Sequence, residues 1–290
     1  MSTKPDPDDA DSPGREREFA FNERDFQRVC ELIYIRAGIS LSDSKHDLVY
    51  GRLARRLRAL QAHSFASYLD LLDDPDSSEW EHFTNALTTN LTSFFREKHH
   101  FEMLAEYLQT HAGKGDLRLW SAAASTGEEA YSMAMTVAQT LRRAGDEVRI
   151  LATDIDTHVL AKGRSGVYPV ERVESLSESL CKRFFQRGRG AHAGQVRVAE
   201  SLRNMIVFRQ LNLLAEQWPM KQRFDVVFCR NVLIYFDKPT QHALMQHLAR
   251  MIKPGGLLFI GHSESPTVDR KVYEPLGRTA YRVLGGGRHD

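Results

Sequence analysis

Trp120-Ser121-Ala122-Ala123-Ala124-Ser125-Thr126-Gly127-Glu128-Glu129 reads as the end of a β-strand, a tight turn of small residues, and the first turn of a helix. A doubly wound α/β protein binds a nucleotide-like ligand outside the carboxyl end of its first strand. Small residues such as Ala123 let the backbone come close to that ligand. The turn lacks both the Gly-x-Gly-x-x-Gly pattern and a Walker lysine, so pyrophosphate binding is poorly supported. Upstream, Asn90-Leu91-Thr92-Ser93-Phe94-Phe95-Arg96-Glu97 places amide, hydroxyl and guanidinium groups on a segment able to close over the same ligand.

Downstream of the turn, strands and helices alternate, which implies a mostly parallel sheet with right-handed crossovers. Strands are expected at Leu117–Ala122, Arg149–Thr153, Val207–Gln210, Phe224–Cys229 and Leu257–Ile260, with an antiparallel pair over Tyr273–Leu284 at the sheet edge. Amphipathic helices are expected at Glu129–Arg142 and Thr240–Met251, the second followed by a sharp turn at Lys253-Pro254-Gly255-Gly256. Asp154 closes the second strand, where an acid can accept hydrogen bonds from a ribose diol. Asn212 and Asn231 follow two further strands, where amides can read an adenine edge or a carboxylate. The alternation breaks over about 167–205. There a short helix near Leu176–Phe185 and a loop bearing Gly188, Gly190 and Gly194 predict a small inserted antiparallel β unit.

Upstream, from Asn22 to about His111, apolar residues recur at helical spacing. One helix carries Phe26, Val29, Ile33 and Ala37. A second starts near Ser44, with Asp47 completing a capping pair, and stacks Val49, Leu53, Leu57 and Leu60. Further helices are expected over Phe65–Leu72, Ser78–Thr88 and Glu97–Gln109. The acidic, Pro-rich residues 1–18 bury too little apolar surface to order themselves. The division is thus a tail at 1–18, a helical domain at 19–90 and an α/β domain at 91–290.

The 290 residues suffice for a full core, and a formal charge of +1 gives no reason to expect a nucleic-acid partner. Cys30, Cys181 and Cys229 are far apart without metal-ligand spacing, which suits buried free thiols in a reducing compartment. No apolar run approaches the roughly 18 residues that span a bilayer. A cytoplasmic monomer without membrane insertion is expected.

These motifs, in this order, resemble the chemotaxis receptor methyltransferases of the CheR type. The resemblance rests on Asn90-Leu91-Thr92 with Phe94-Phe95-Arg96, Ser121–Glu129 with Tyr131-Ser132, and Asp154-Ile155-Asp156. It continues through Asn212-Leu213-Leu214, Phe228-Cys229-Arg230-Asn231-Val232 with Ile234-Tyr235-Phe236, and Gly261-His262-Ser263-Glu264, and covers about Asn22 to Leu284. It implies a class I methyltransferase domain, transfer of a methyl group from S-adenosylmethionine to chemoreceptor glutamates, and recruitment to membrane receptor arrays. By position, Asn90, Thr92 and Arg96 would close over the cofactor, Glu129 would sit beside its amino-acid end, and Asp154 would hold the ribose. Ala123, Asn212, Leu213, Arg230 and Asn231 would line the rest. Spacing leaves open whether Glu128 or Glu129 faces the ligand, since both sit where a helix dipole favours acids.

A glutamate substrate, with a pKa of about 4.3, is already ionised at neutral pH and needs no general base. The sulfonium is already activated, so no metal is expected. Arg96 is read as a clamp on the incoming carboxylate and Tyr235 as a second donor. His99 and His100 are read as pointing apart, and His262 as packed beneath the last strand. Arg52, Arg55 and Arg56, with Arg58 beside them, form a basic face suited to acidic receptor helices. The loop of Gly188, Gly190 and Gly194 looks like that of relatives whose β unit takes a receptor C-terminal peptide by strand addition.

Overall fold

A computed structural model describes residues 17–141 and 148–284. The acidic stretch 1–16 and the helix end read to Arg142 lie outside the described residues. Arg17 and Glu18, placed in the tail by sequence, reach back to pair with Asp47 and Arg58.

Four helices open the fold: α1 Glu23–Ala37, α2 His46–Leu60, α3 Phe65–Leu69 and α4 Glu79–Leu87. The expected stripe of Phe26, Val29, Ile33 and Ala37 is the buried face of α1. Asn22 and Asp25 form its capping box. The pair expected at Ser44 and Asp47 does not form, because a 3-10 turn over Asp43–Lys45 displaces the start of α2 to His46. Val49, Leu53 and Leu57 are buried, whereas Leu60, at the last position of α2, is 41% exposed. The third helix continues as a 3-10 turn, Asp70–Leu72.

After α5 (His99–His111) comes the sheet. Its strands are β1 Leu117–Ser121, β2 Val148–Asp154, β6 Ile206–Gln210, β7 Phe224–Phe228, β8 Ile252–Phe259, β9 Tyr273–Gly277 and β10 Ala280–Val283. The order is β6-β2-β1-β7-β8-β10-β9. The pairings from β6 to β8 are parallel, and β10 runs antiparallel to both its neighbours. Between β7 and β8 the register passes from Phe224↔Ile252 to Val226↔Leu257. Residues 253–256, read from sequence as a turn ahead of the strand, are therefore a bulge inside it.

One face of the sheet packs on α5 and α6 (Glu128–Thr140), and the other on α10 (Lys238–Met251). Residues 128–137 of α6 are all buried, so this helix is not the amphipathic one expected. The inserted unit covers its outer side. That unit comprises β3 Val167–Pro169, a 3-10 turn Val170–Val173, α8 Glu178–Phe184, β4 Phe185–Arg187 and β5 Gln195–Val198, in strand order β3-β5-β4. It lies between α7 (Thr157–Ser165), which follows β2, and α9 (Glu200–Arg203), which leads into β6. In its loop, a Cβ on Gly188 would come within 2.0 Å of the His192 carbonyl oxygen, so the glycine is required by the turn itself.

The helical core meets the sheet domain at several points. Ile155 and Tyr235 pack against the helical core, Tyr34 Oη donates to Asp237 Oδ2 at 2.8 Å, and the Ser40 N–H donates to the Tyr235 carbonyl at 2.9 Å.

Candidate active site

Left-handed, non-glycine residues gather at the carboxyl end of the sheet, among them Phe95 (φ 52°), Glu97 (57°), Ser125 (48°) and Asn231 (58°). Such conformations cost of order 1–3 kcal/mol each and persist only where their surroundings over-determine them. The constraints are visible here. The Ser125 N–H donates to Asp154 Oδ2 at 2.8 Å, and the Ser125 hydroxyl donates to the Asn90 carbonyl at 2.9 Å. The turn ends at Gly127 (φ 96°), where a Cβ would meet Gly163 Cα at 3.0 Å and Tyr168 Oη at 3.1 Å. Only glycine fits both that φ and that space.

Above this turn lies a cavity of 670 Å³ between the sheet domain and the helical domain. Asn90, Thr92, Arg96, Ala123, Glu129, Asp154, Asn212, Leu213, Arg230, Asn231 and Tyr235 all line it. Arg52 lines it too, from α2, whereas Arg55, Arg56 and Arg58 do not.

Asp154 is nearly buried. Burial pushes its carboxyl up to about 6, although N–H groups of Asp156 and Ser125 favour the ionised form. Glu129 and Glu128 now separate. Glu129 lines the cavity, accepting from Ser121 Oγ at 2.7 Å and Arg230 Nη1 at 3.0 Å, and burial raises its pKa. Glu128 is turned away, held by Thr126 Oγ1 at 2.6 Å and by Arg172. Arg230 is buried with Phe101 and Phe228 at its guanidinium. It stands 3.1 Å from Glu97 Oε2 and donates to the Arg96 carbonyl at 2.6 Å. Burial alone would raise the Glu97 carboxyl, but Arg230 and the His262 N–H outweigh it and hold it below its ordinary value. The Glu97 and Glu129 carboxyl groups thus share one guanidinium.

Several expectations change. Asn212 lines the cavity, yet its amide is engaged: Nδ2 donates to the Arg36 carbonyl at 2.9 Å and Oδ1 accepts the Leu214 N–H at 2.9 Å. His262 is exposed rather than packed beneath a strand, and its N–H donates to Glu97 Oε1 at 3.1 Å. His99 and His100 do not point apart: their rings lie 4.2 Å apart and both reach the Arg278 carbonyl. With Glu97 they bring potential ligand atoms within 4.8 Å of one another. The Arg230 guanidinium already stands beside that carboxylate, which opposes a second cation. Burial holds His100 down to about 4, so it is neutral at pH 7.

The basic face also divides. Arg52 Nη1 donates to the carbonyls of Leu87 (3.0 Å) and Thr88 (2.7 Å), capping the carboxyl end of α4. Arg56 forms a bidentate pair with the buried Glu79, at 2.9 and 2.7 Å. Arg55 and Arg58 remain on the exposed outer face.

Sequence reasoning missed four polar groups that build the site. Asp156 caps α7 and accepts from Thr88 Oγ1 at 2.7 Å and Asn90 Nδ2 at 2.9 Å. Glu264 gathers the N–H groups of Asn231 (2.9 Å), Leu233 (2.7 Å) and Gly261. Glu97 and Arg172 complete the set. Asp156 and Glu264 sat inside recognised motifs, but their partners are brought close only by the fold.

A doubly wound sheet with one reversed strand, β10, between β8 and the edge strand β9, and a cavity over its first strand's turn, define a class I methyltransferase. Residues 90–282 match the model of the CheR methyltransferase SAM binding domain, and residues 24–88 that of the CheR methyltransferase all-alpha domain. The chain is 48% identical over 265 residues to the chemotaxis protein methyltransferase of Salmonella typhimurium, covering 91% of each chain. It is 50% identical over 269 residues to chemotaxis protein methyltransferase 2 of Pseudomonas aeruginosa, covering 91% of this chain and 95% of that one. The chain belongs to the CheR methyltransferase family.

The cofactor is S-adenosylmethionine, and the donor set suits it. Asp154 can accept from a diol, apolar Leu213 and Val232 line the same cavity, and the Glu129 carboxyl offers an acceptor to a cationic ligand end.

Proposed function

We propose that this protein transfers a methyl group from S-adenosylmethionine to glutamate side chains of bacterial chemoreceptors, forming the methyl esters of chemotactic adaptation. The observation that carries the reading is the convergence of Arg96 and Tyr235 with the nine other motif residues on one cavity. Bound there, the cofactor supplies an electrophilic methyl group on a sulfonium. Asp154 holds the ribose hydroxyls. Glu129, fixed by Ser121 and Arg230, faces the amino-acid end. Asn90, Thr92 and Arg96 close over the ligand, with Ala123, Asn212, Leu213, Arg230 and Asn231 around the remainder.

An ionised glutamate needs no proton removed, so alignment and exclusion of water are the protein's task. Good alignment can contribute roughly 7–11 kcal/mol. Arg96 Nη1 is anchored on the Leu91 carbonyl at 3.0 Å, which leaves its planar fork at the cavity to receive the carboxylate. Tyr235, which lines the same cavity, is the second donor. Arg96→Ala, measured in single turnovers at saturating cofactor, should slow methyl transfer at least 100-fold. An unchanged rate would remove the clamp.

The receptor's acidic helices dock on the α2 side of the mouth, where Lys45 and Arg52 line the cavity and Arg55 extends the positive field, with Arg58 beside it paired to Glu18. Arg56, neutralised by its pair with Glu79, adds no net charge to that field. A receptor C-terminal peptide adds to an edge of the β3-β5-β4 sheet, shaped by the loop of Gly188, Gly190 and Gly194. A second cavity, of 560 Å³ and lined by Phe185, Arg187 and Val196, adjoins the β4 edge. The enzyme acts as a cytoplasmic monomer recruited to receptor arrays. Among the described residues no helix is long and apolar enough to cross a membrane.

A further inference from the structure

The segment that closes over the cavity is gripped from behind by the inserted β unit. Arg172, in the 3-10 turn that follows β3, donates from Nη2 to the Thr92 carbonyl at 2.7 Å. The same nitrogen pairs with Glu128, the fully buried first residue of α6. Two residues further along the segment, the Phe94 ring stands edge-on to Tyr168 of β3 (5.2 Å) and Phe185 of β4 (5.4 Å). Tyr168 Oη also donates to the Thr126 carbonyl at 2.7 Å, inside the cofactor turn. The inserted sheet therefore holds both the closing segment and the turn beneath the ligand.

Glu128 explains why an arginine stands there. A buried carboxylate without a cation partner is strongly unfavourable, and the dipole at the start of α6 compensates only part of that. Arg172 neutralises it and, with the charge so fixed, donates to the Thr92 carbonyl. A charge-assisted bond of this kind is roughly twice as strong as a neutral one. Thr92 itself lines the cavity.

We infer that Arg172 is a positioning residue: by holding Thr92 it sets the closing segment over the cofactor, so that the inserted unit governs cofactor retention. The inference rests on the closing role given above to Asn90, Thr92 and Arg96. Its test uses the full chain carrying Arg172→Met together with Glu128→Gln, which removes the guanidinium without stranding a buried charge. Calorimetry with S-adenosylhomocysteine and amide hydrogen exchange of residues 90–96 in the cofactor-free protein are both read without any receptor.

The double variant should melt near the parent, bind S-adenosylhomocysteine about 10-fold more weakly, exchange several-fold faster over 92–96, and keep the parent's KM for receptor. Parental affinity and exchange in a folded double variant would overturn the inference. Should that variant not fold, Arg172→Lys, which keeps a cation for Glu128 but not the fork, is read in the same two assays. Weakened binding with faster exchange supports the role, and parental values overturn it. If the parent binds S-adenosylhomocysteine but methylates no receptor, the proposed substrate fails while the Arg172 measurement still stands.

Discussion

Asp154 shows how a single residue ties stability to ligand chemistry. Its carboxyl is pushed up to about 6 because the fold buries it before any ligand compensates. A raised carboxyl stabilises the folded chain most fully below the unfolded value of about 3.9, and that contribution is lost as pH rises through about 6. The cofactor-free protein therefore becomes less stable across this window on account of Asp154. Ligand hydroxyls that donate to the ionised form reverse the preference. S-adenosylhomocysteine affinity should then fall as pH drops below about 6, by up to about 10-fold per unit, in calorimetry across pH 5–8. Asp154→Ala should weaken binding by about 10- to 100-fold at pH 7.5, the loss of one or two hydrogen bonds to a charged group, and should abolish that pH dependence.

Among the elements, the loop after β7 depends on a carboxylate from the loop after β8. Glu264 is buried, and burial raises its pKa, while N–H groups of Asn231, Gly261 and Leu233 favour the ionised form. Those donors lose their shared acceptor if the carboxylate is removed. Glu264→Ala should cost about 2–4 kcal/mol in urea melts and weaken cofactor binding, since Asn231 loses its left-handed anchor. The elements themselves were largely legible. Strand–turn–helix over 120–129 follows from small residues between an apolar run and two acids, and the stripe of α1 follows from spacing alone. What could not be read depended on neighbours. The bulge at 253–256 needs β7 beside it, the burial of α6 needs the inserted unit over it, and the roles of Arg52 and Arg56 need α4. The cavity residues at strand ends and in the Asn90–Arg96 segment were legible, whereas those that the helical domain contributes, such as Ile39, Lys45 and Leu48, were not. Arg172 and Glu97 were not, since nothing in their spacing says which buried charge they meet.

Over the whole molecule, the cavity opens between two domains, with α2 forming one wall of its mouth. This arrangement separates two kinds of positive charge. Arg52 and Arg56 hold the helical domain together, whereas Arg55 and Arg58 face outward. Reversing the outer pair, Arg55→Glu with Arg58→Glu, should raise the KM for receptor several-fold, mainly through the association rate, with S-adenosylhomocysteine affinity unchanged. The effect should shrink as ionic strength rises, because exposed charges are screened beyond about 8–10 Å. An unchanged KM at low salt would reject docking on this face. The central claim is that the transferred methyl group ends on a glutamate carboxylate, and its bond lability tests this most directly. Receptor-bearing membranes incubated with the enzyme and methyl-labelled S-adenosylmethionine should acquire label that mild alkali releases as methanol, with Arg96→Ala acquiring almost none. Label that resists alkali, or no label on receptor, would contradict the account.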